Sequence, residues 1–264
     1  MRKILRSPLV KGVARWANRE PFIWDGIYES FAQVPVMGDG FASDVWLSET
    51  QRYTQAAAMA LRNNRGEIAE NVAQYHALFS LLVASCGSPE RPVRVVDCGG
   101  GMGIGFASLM RSVPEVGQLD YLVVDNKQSC ERGRQLFADF PEVRFSSELP
   151  REPEKVDVLV LSSVLQFVED YEALLKKLAT LAPSFWFFTF VPAGDIPRFA
   201  SAQLNVPGSV LPVWFFNVRE LVAKIEALGY RLVFKSALER VFDMSNFPPS
   251  HQLTRHCNLL FCLR

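Results

Sequence analysis

Four residues of one turn, Asp97, Gly99, Gly101 and Gly103, and then Asp125 carry the most chemistry in this sequence. The apolar pair Val95-Val96 ends in Asp97, and the chain then breaks into Cys98-Gly99-Gly100-Gly101-Met102-Gly103-Ile104-Gly105. Glycines in such a turn let a ligand touch backbone N–H groups at the positive end of the helix that follows. A second apolar run, Tyr121-Leu122-Val123-Val124, ends in Asp125, 22 residues after Gly103. A nucleotide-binding βαβ unit places a carboxylate there to hold ribose hydroxyls. The pair predicts a site for an adenosine-type cofactor, with Asn126 beside it.

The glycine spacing separates two cofactor classes. A dinucleotide fingerprint needs Gly-x-Gly-x-x-Gly around a pyrophosphate, and no frame supplies it: Ile104, Phe106 and Ser108 stand where the third glycine belongs. The sequence reads Asp97-x-Gly99-x-Gly101-x-Gly103 instead. A carboxylate at its head repels a pyrophosphate but suits a cationic amino acid moiety. This pattern resembles motif I of the class I S-adenosylmethionine-dependent methyltransferases. The resemblance implies S-adenosyl-L-methionine as cofactor and a doubly wound, mostly parallel, Rossmann-like sheet of seven strands. It implies that Gly99, Gly100, Gly101 and Gly103 approach the amino acid part while Asp97 orders the ammonium, and that Asp125 and Asn126 hold the ribose. Ser147, just past the third core strand, falls at the adenine edge, and Ser162 and Gln166 follow the fourth. Many small-molecule relatives carry histidine near the position of Gln166. Glutamine does not accept a proton in that role, so it is expected to orient ligand by hydrogen bonds.

At the front, Trp24-Asp25-Gly26-Ile27-Tyr28-Glu29-Ser30-Phe31 is dense in aromatic residues. Together with motif I it resembles a methyltransferase family of bacterial surface-polysaccharide biosynthesis loci. The implied reaction is O-methylation of a small or carbohydrate-linked acceptor. Trp24, Asp25, Tyr28 and Trp214 are then expected to bind that acceptor, with ring faces against a sugar and polar groups for direction. A sugar hydroxyl also has to lose its proton; His76, His251, His256, Asp195 and Asp243 are the candidate bases, with His76 and His251 preferred. Two readings compete: a non-catalytic methyltransferase-like binding or scaffold protein, favoured by the missing obvious base, and another adenosine-cofactor enzyme on the same fold.

These residues need a frame, and the chain alternates as a doubly wound sheet does. Strands are expected at 94–97, 121–125, 142–145, 156–161 and 185–190, with helices over 103–112, 127–140 and 169–181 between them. Val158-Leu159-Val160-Leu161 and Phe185-Trp186-Phe187-Phe188 read as parallel strands buried on both faces. A proline-studded loop from Pro192 to Pro212 follows, then a helix capped by Asn217 and two closing strands, 231–235 and 257–263. Before the sheet, helices are expected over 48–62 and around Ile68 to Leu82. The division is residues 1–90 as a basic arm and helical extension or lid, and 91–264 as the Rossmann-like domain.

The 264 residues carry 28 basic and 28 acidic side chains, so overall charge gives no bias toward nucleic acid. Six basic residues, Arg2 to Arg19, precede the first acid, Glu20. With apolar Leu9, Val10, Val13 and Trp16 among them, residues 1–19 suit peripheral contact with an anionic membrane. Five irregularly spaced cysteines argue against a disulfide framework. Glu169 and Asp170 read as a solvated helix start, so no metal is expected. The N-terminal apolar run is broken by Arg6, Pro8 and Lys11, against a signal peptide, and a cytoplasmic location is expected.

Overall fold

A computed structural model describes residues 22–63, 70–87, 90–113, 118–150 and 155–264, with the side chains of 70–76 left aside. The basic arm at 1–19 lies outside the described residues. In chain order the strands are β1 (Trp24–Tyr28), β2 (Val93–Cys98), β3 (Leu119–Val124), β4 (Val143–Ser146), β5 (Val158–Ser162), β6 (Phe185–Val191), β7 (Ala193–Gly194), β8 (Phe199–Gln203), β9 (Leu211–Asn217), β10 (Tyr230–Ala237) and β11 (Cys257–Leu263). The helices are α1 (Asp44–Asn63), α2 (Glu70–Ser85), α3 (Ile104–Ser112), α4 (Lys127–Leu136), α5 (Tyr171–Ala179) and α6 (Val218–Glu226).

Seven strands form one sheet in the order β10-β11-β6-β5-β2-β3-β4. The five from β6 to β4 are parallel, and β11 runs antiparallel to both of its neighbours. From β2 the chain winds outward to β3 and β4, then returns to the other side of β2 for β5 and β6. The order therefore reverses between β2 and β5, the place where open α/β sheets open a crevice beyond their strand ends.

Side chains alternate across the sheet, as a period of two requires. Val95, Tyr121, Val123, Val158 and Val160 pack with Ala58 and Leu61 of α1, Phe79 of α2 and Phe106 of α3. Val96, Leu122, Leu159, Leu161 and Phe188 face the other way, onto Leu175 of α5 and Ile225 of α6. The helices ahead of residue 91 thus share the core of the sheet. Helix starts are locally specified: Asn126, Asp170 and Asn217 each accept a backbone N–H of the first turn with their side chains.

The expected loop at 192–212 and the aromatic opening take a different form. β1, β8, β9 and β7 make a second, four-stranded sheet in that order. β8 pairs antiparallel with both β1 and β9, for example Trp24 with Gln203 and Ala202 with Pro212. β9 meets β7 only at Phe216 and Asn217, so at Pro212 it is an edge strand, where a missing N–H is tolerated. Helix α1 also begins at Asp44 rather than near 48, with the Ser43 hydroxyl accepting from Trp46 N at 3.3 Å.

Candidate cofactor and acceptor site

The glycine turn after β2 is held from both sides. Gly99 N donates to the Val124 carbonyl at 2.7 Å, tying the turn to β3. Gly101 N donates to Asp125 Oδ2 at 2.8 Å, while Asp125 Oδ1 accepts from both the backbone and the side-chain nitrogen of Asn126 at 2.7 Å. Gly99 has φ +75°, and a Cβ there would collide with Val164 from the loop after β5. A Cβ at Gly100 would strike the Asp97 carboxylate. Gly103, at φ +95°, ends the turn at the head of α3, where a Cβ would meet Phe145 at 3.0 Å. Backbone at positive φ, with no room for a Cβ, favours glycine.

Asp97 is 4% exposed, and its Oδ2 accepts the Tyr121 hydroxyl at 2.7 Å. Burial pushes its carboxyl up to about 7, against the Tyr121 hydrogen bond, which favours the ionised form; the charge of Asp125 adds to the rise. An acid in that condition gains from a cation brought to it. Cys98, next in the chain, is a packed thiol raised to about 12 by burial.

Two adjoining cavities open at this end of the sheet. The smaller, about 160 Å³, lies over Asp97, Gly100, Met102, Tyr121 and Phe79. The larger, about 550 Å³, is lined by Asp125 and Asn126 on one side and by Ser163, Val164 and Phe167 on the other. Gly99, Gly101, Thr50 and Ser162 border both. Phe41 and Trp46, ahead of and within α1, form the outer wall of the larger one together with Gln203 of β8. Phe41 stands edge-on to Phe167 at 4.7 Å and 5.0 Å from Trp46. A separate hollow of about 420 Å³ lies over Arg94, Asp120 and Arg144, which are paired with one another and have no part in this site.

Of the residues singled out in the sequence, Asp97, Gly99, Gly100, Gly101, Asp125, Asn126 and Ser162 come together at these cavities. Gly103 supports the turn from behind. Ser147 is exposed and lines neither cavity. Gln166 is 3% exposed and stands behind the wall, its Nε2 donating to Ser163 Oγ at 2.9 Å and to the Phe190 carbonyl at 3.4 Å. His76 belongs to α2, but its side chain lies outside the described residues. His251 lies in a 3-10 turn (Pro249–His251), against Ser250 Oγ at 2.9 Å and the Phe199 ring at 5.1 Å, and lines neither cavity.

None of the four residues expected to bind acceptor lines either cavity. Trp24 is 4% exposed, enclosed by Phe215 and Phe242, with its Nε1 donating to Gln203 Oε1 at 3.3 Å. Trp214 is 5% exposed, packed on Phe31 and donating to the Glu169 carbonyl at 3.2 Å. Neither indole has a free face for a sugar ring, because strand pairing turns both inward. Asp25 and Tyr28 are half-buried on β1, and the Tyr28 ring folds over Gly26. The aromatic wall is built by Phe41, Trp46 and Phe167 instead. Phe41 and Trp46 stand just before and inside a helix start, a signal present in the sequence, and Ser163 adjoins Ser162. Gln203 has no local signal, since its place follows from pairing with Trp24 across the chain.

His256 is buried beside Trp24 and Phe242. Desolvation lowers it to about 4, against the raising effect of its bond to the Phe190 carbonyl. It is therefore a neutral imidazole at pH 7.

A glycine turn under a ribose-type carboxylate, at the switch point of a doubly wound sheet, defines an α/β protein with a nucleoside-cofactor site. The chain belongs to the methyltransferase domain family, whose sequence pattern matches residues 61–234. The family's cofactor is S-adenosyl-L-methionine, which supplies an electrophilic methyl group on a cationic sulfur. The residues present fit it: a buried acid suited to a cation, a cradle where a Cβ would clash, and a ribose-type carboxylate. The fold is similar to that of an S-adenosylmethionine-dependent methyltransferase from Clostridium acetobutylicum, at TM-score 0.50 and 10% identity, covering 80% of this chain and 99% of that one. It is also similar to the Burkholderia thailandensis 1,6-didemethyltoxoflavin-N1-methyltransferase with bound 1,6-didemethyltoxoflavin and S-adenosylhomocysteine, at TM-score 0.50 and 17% identity, covering 90% and 99%. No curated protein matches the chain.

Proposed function

We propose that the chain is a cytoplasmic O-methyltransferase acting on a small or carbohydrate-linked acceptor. Asp97 and the turn from Gly99 to Gly101 hold the amino acid part of the cofactor in the smaller cavity, and Asp125 and Asn126 hold its ribose. Ser162 lies between the cofactor and acceptor spaces. One observation carries the reading of the acceptor. Apart from Asp125, the described side chains lining the larger cavity are uncharged, hydroxyl, amide or apolar. An amine would bring a positive charge and call for a carboxylate of its own, whereas a hydroxyl fits a neutral wall. The test is incubation with labelled S-adenosyl-L-methionine and panels of sugar-nucleotide, glycan and small hydroxylated acceptors. Label should appear on oxygen in the product, and transfer only to nitrogen would sink the assignment.

A further inference from the structure

We propose that the oxygen methylated here is acidic in its own right, a phenol, enol or carboxylic acid on a planar group, and that Ser163 and Gln203 hold that acceptor by donating hydrogen bonds into the aromatic cavity. The inference rests on the O-methyltransferase reading of the same cleft and names its substrate class.

The two donors follow from what their neighbours can do. The amide of Gln166 reaches both the Phe190 carbonyl and Ser163 Oγ. A carbonyl only accepts, so the amide nitrogen faces it, and the other hydrogen of the same NH2 goes to Ser163 Oγ. Ser163 is thereby the acceptor in that bond, and its own hydroxyl hydrogen is left for the cavity it lines. Gln203 is fixed in the same manner. The Trp24 indole N–H only donates, so Oε1 of Gln203 faces it at 3.3 Å and the NH2 is turned elsewhere, in a residue that lines the same cavity.

Both walls are built rather than incidental. Ser163 and Phe190 adopt φ of +57° and +58°, at the ends of adjacent strands β5 and β6. Non-glycine residues are strained there and keep such conformations where the surroundings impose them. Gln166, buried behind, joins the two.

Two donors call for lone pairs, and the remaining question is the acceptor's proton. Among the described side chains lining the cavity, Asp125 alone is ionisable, and both of its oxygens are engaged by Gly101 and Asn126. An aliphatic hydroxyl would find no free base among the described side chains that line the cavity. A carboxylic acid, ionising near about pH 4, has already lost its proton at pH 7, and a phenol, ionising near about pH 10, gives up its proton far more readily than an aliphatic alcohol, so both lower the demand for a base from the protein. The rings of Phe41, Trp46 and Phe167 offer faces and edges to a planar group. In the transfer, an oxygen–methyl bond forms from the acceptor's lone pair. The methyl–sulfur bond breaks with its electron pair staying on sulfur, and the acceptor's proton goes to solvent.

Calorimetry on the full chain loaded with S-adenosylhomocysteine tests this, with 4-hydroxybenzoate and methyl glucoside as probes. Gln203→Glu keeps an oxygen toward Trp24 and replaces the donor by a second oxygen. It should weaken 4-hydroxybenzoate at least tenfold, and Ser163→Ala severalfold, with S-adenosylhomocysteine affinity within twofold of wild type. In turnover of phenol, 4-cyanophenol and 4-nitrophenol, the apparent pKa of kcat/KM should follow that of each acceptor. The inference is overturned if 4-hydroxybenzoate fails to bind, if methyl glucoside binds as well, if Gln203→Glu has no effect, or if one apparent pKa serves all three phenols. Each of those outcomes leaves methyltransferase function standing. Failure of S-adenosylhomocysteine to bind the wild type would remove both.

Discussion

The Tyr121 hydroxyl donates to Asp97 Oδ2 at 2.7 Å with both side chains buried, so among the described residues a tyrosine is what favours the charged form of the acid that heads the glycine turn. Burial still raises that acid to about 7. A folded acid raised in this way contributes stability at low pH and loses it as pH climbs from about 4 through about 7. Binding an ammonium favours the ionised form, so S-adenosylhomocysteine should bind more tightly as pH rises from 5.5 to 8, levelling off above 7. Tyr121→Phe should move the rise to higher pH, and Asp97→Asn should flatten it. Calorimetry across this range is the measurement, and a flat wild-type profile would detach Asp97 from the ammonium.

Asp125 is tied to the turn through Gly101 N on one oxygen and to Asn126 on the other, and is proposed to hold the ribose as well. Losing hydrogen bonds to a charged acceptor costs roughly 1.5 to 3 kcal/mol each. Asp125→Ala should therefore weaken S-adenosylhomocysteine by at least about tenfold. NAD should not bind wild type or variant, and tight NAD binding would contradict the cofactor assignment.

Gly99→Ala places a methyl against Val164 at a residue with positive φ. Overpacking of this type costs roughly 1 to 3 kcal/mol. The variant should melt lower by several degrees and bind cofactor poorly. Val164→Ala in the same chain should recover part of both losses, and absence of any recovery would mean that backbone strain, not the contact, is responsible.

His256, lowered to about 4 by burial, works in the opposite direction to Asp97. A neutral buried imidazole gives its stability in full above its unfolded value near 6.5, and loses it as pH falls toward 4. That difference amounts to roughly 3 kcal/mol. Urea unfolding at pH 7 and pH 5 should show a loss on acidification that His256→Phe reduces; an unchanged loss would place the acid sensitivity elsewhere.

The six basic residues before Glu20 are proposed to attach the protein to anionic surfaces. Flotation with phosphatidylserine-containing liposomes should depend on residues 1–19 and weaken with salt, since exposed charge is screened over about 10 Å at 0.1 M. Equal flotation of the chain without them would end the idea.

The central sheet was legible because its strands are buried on both faces, so runs such as Val158 to Leu161 have no polar positions to confuse the pattern. The glycine turn was legible because backbone at positive φ favours one residue type, and Asp125 because it ends an apolar strand run 22 residues beyond Gly103. The second sheet was not. Prolines at 192, 197, 207 and 212 read as loop, yet Pro212 is compatible with the open edge of β9. Trp24 and Trp214 read as ligand-facing because one-dimensional spacing does not tell which side of an isolated strand will be covered. The place of Gln203 on the cavity wall depended on a pairing with Trp24, 179 positions away, which no local window contains.

That same separation sets an order of events at the ribosome. β1 emerges early, with Trp24 at its start, but its partner β8 ends at Gln203. At 5 to 20 residues per second, the interval is roughly 10 to 35 seconds. The parallel strands β2 to β6 can all leave the tunnel before the small sheet has its second strand. Throughout that time β1 is an unsatisfied edge carrying exposed aromatic surface, open to pairing with the wrong chain. A nascent chain of this protein should therefore be a holdase client until synthesis passes β8. Moving residues 22–43 to follow β8 by circular permutation should shorten that dependence.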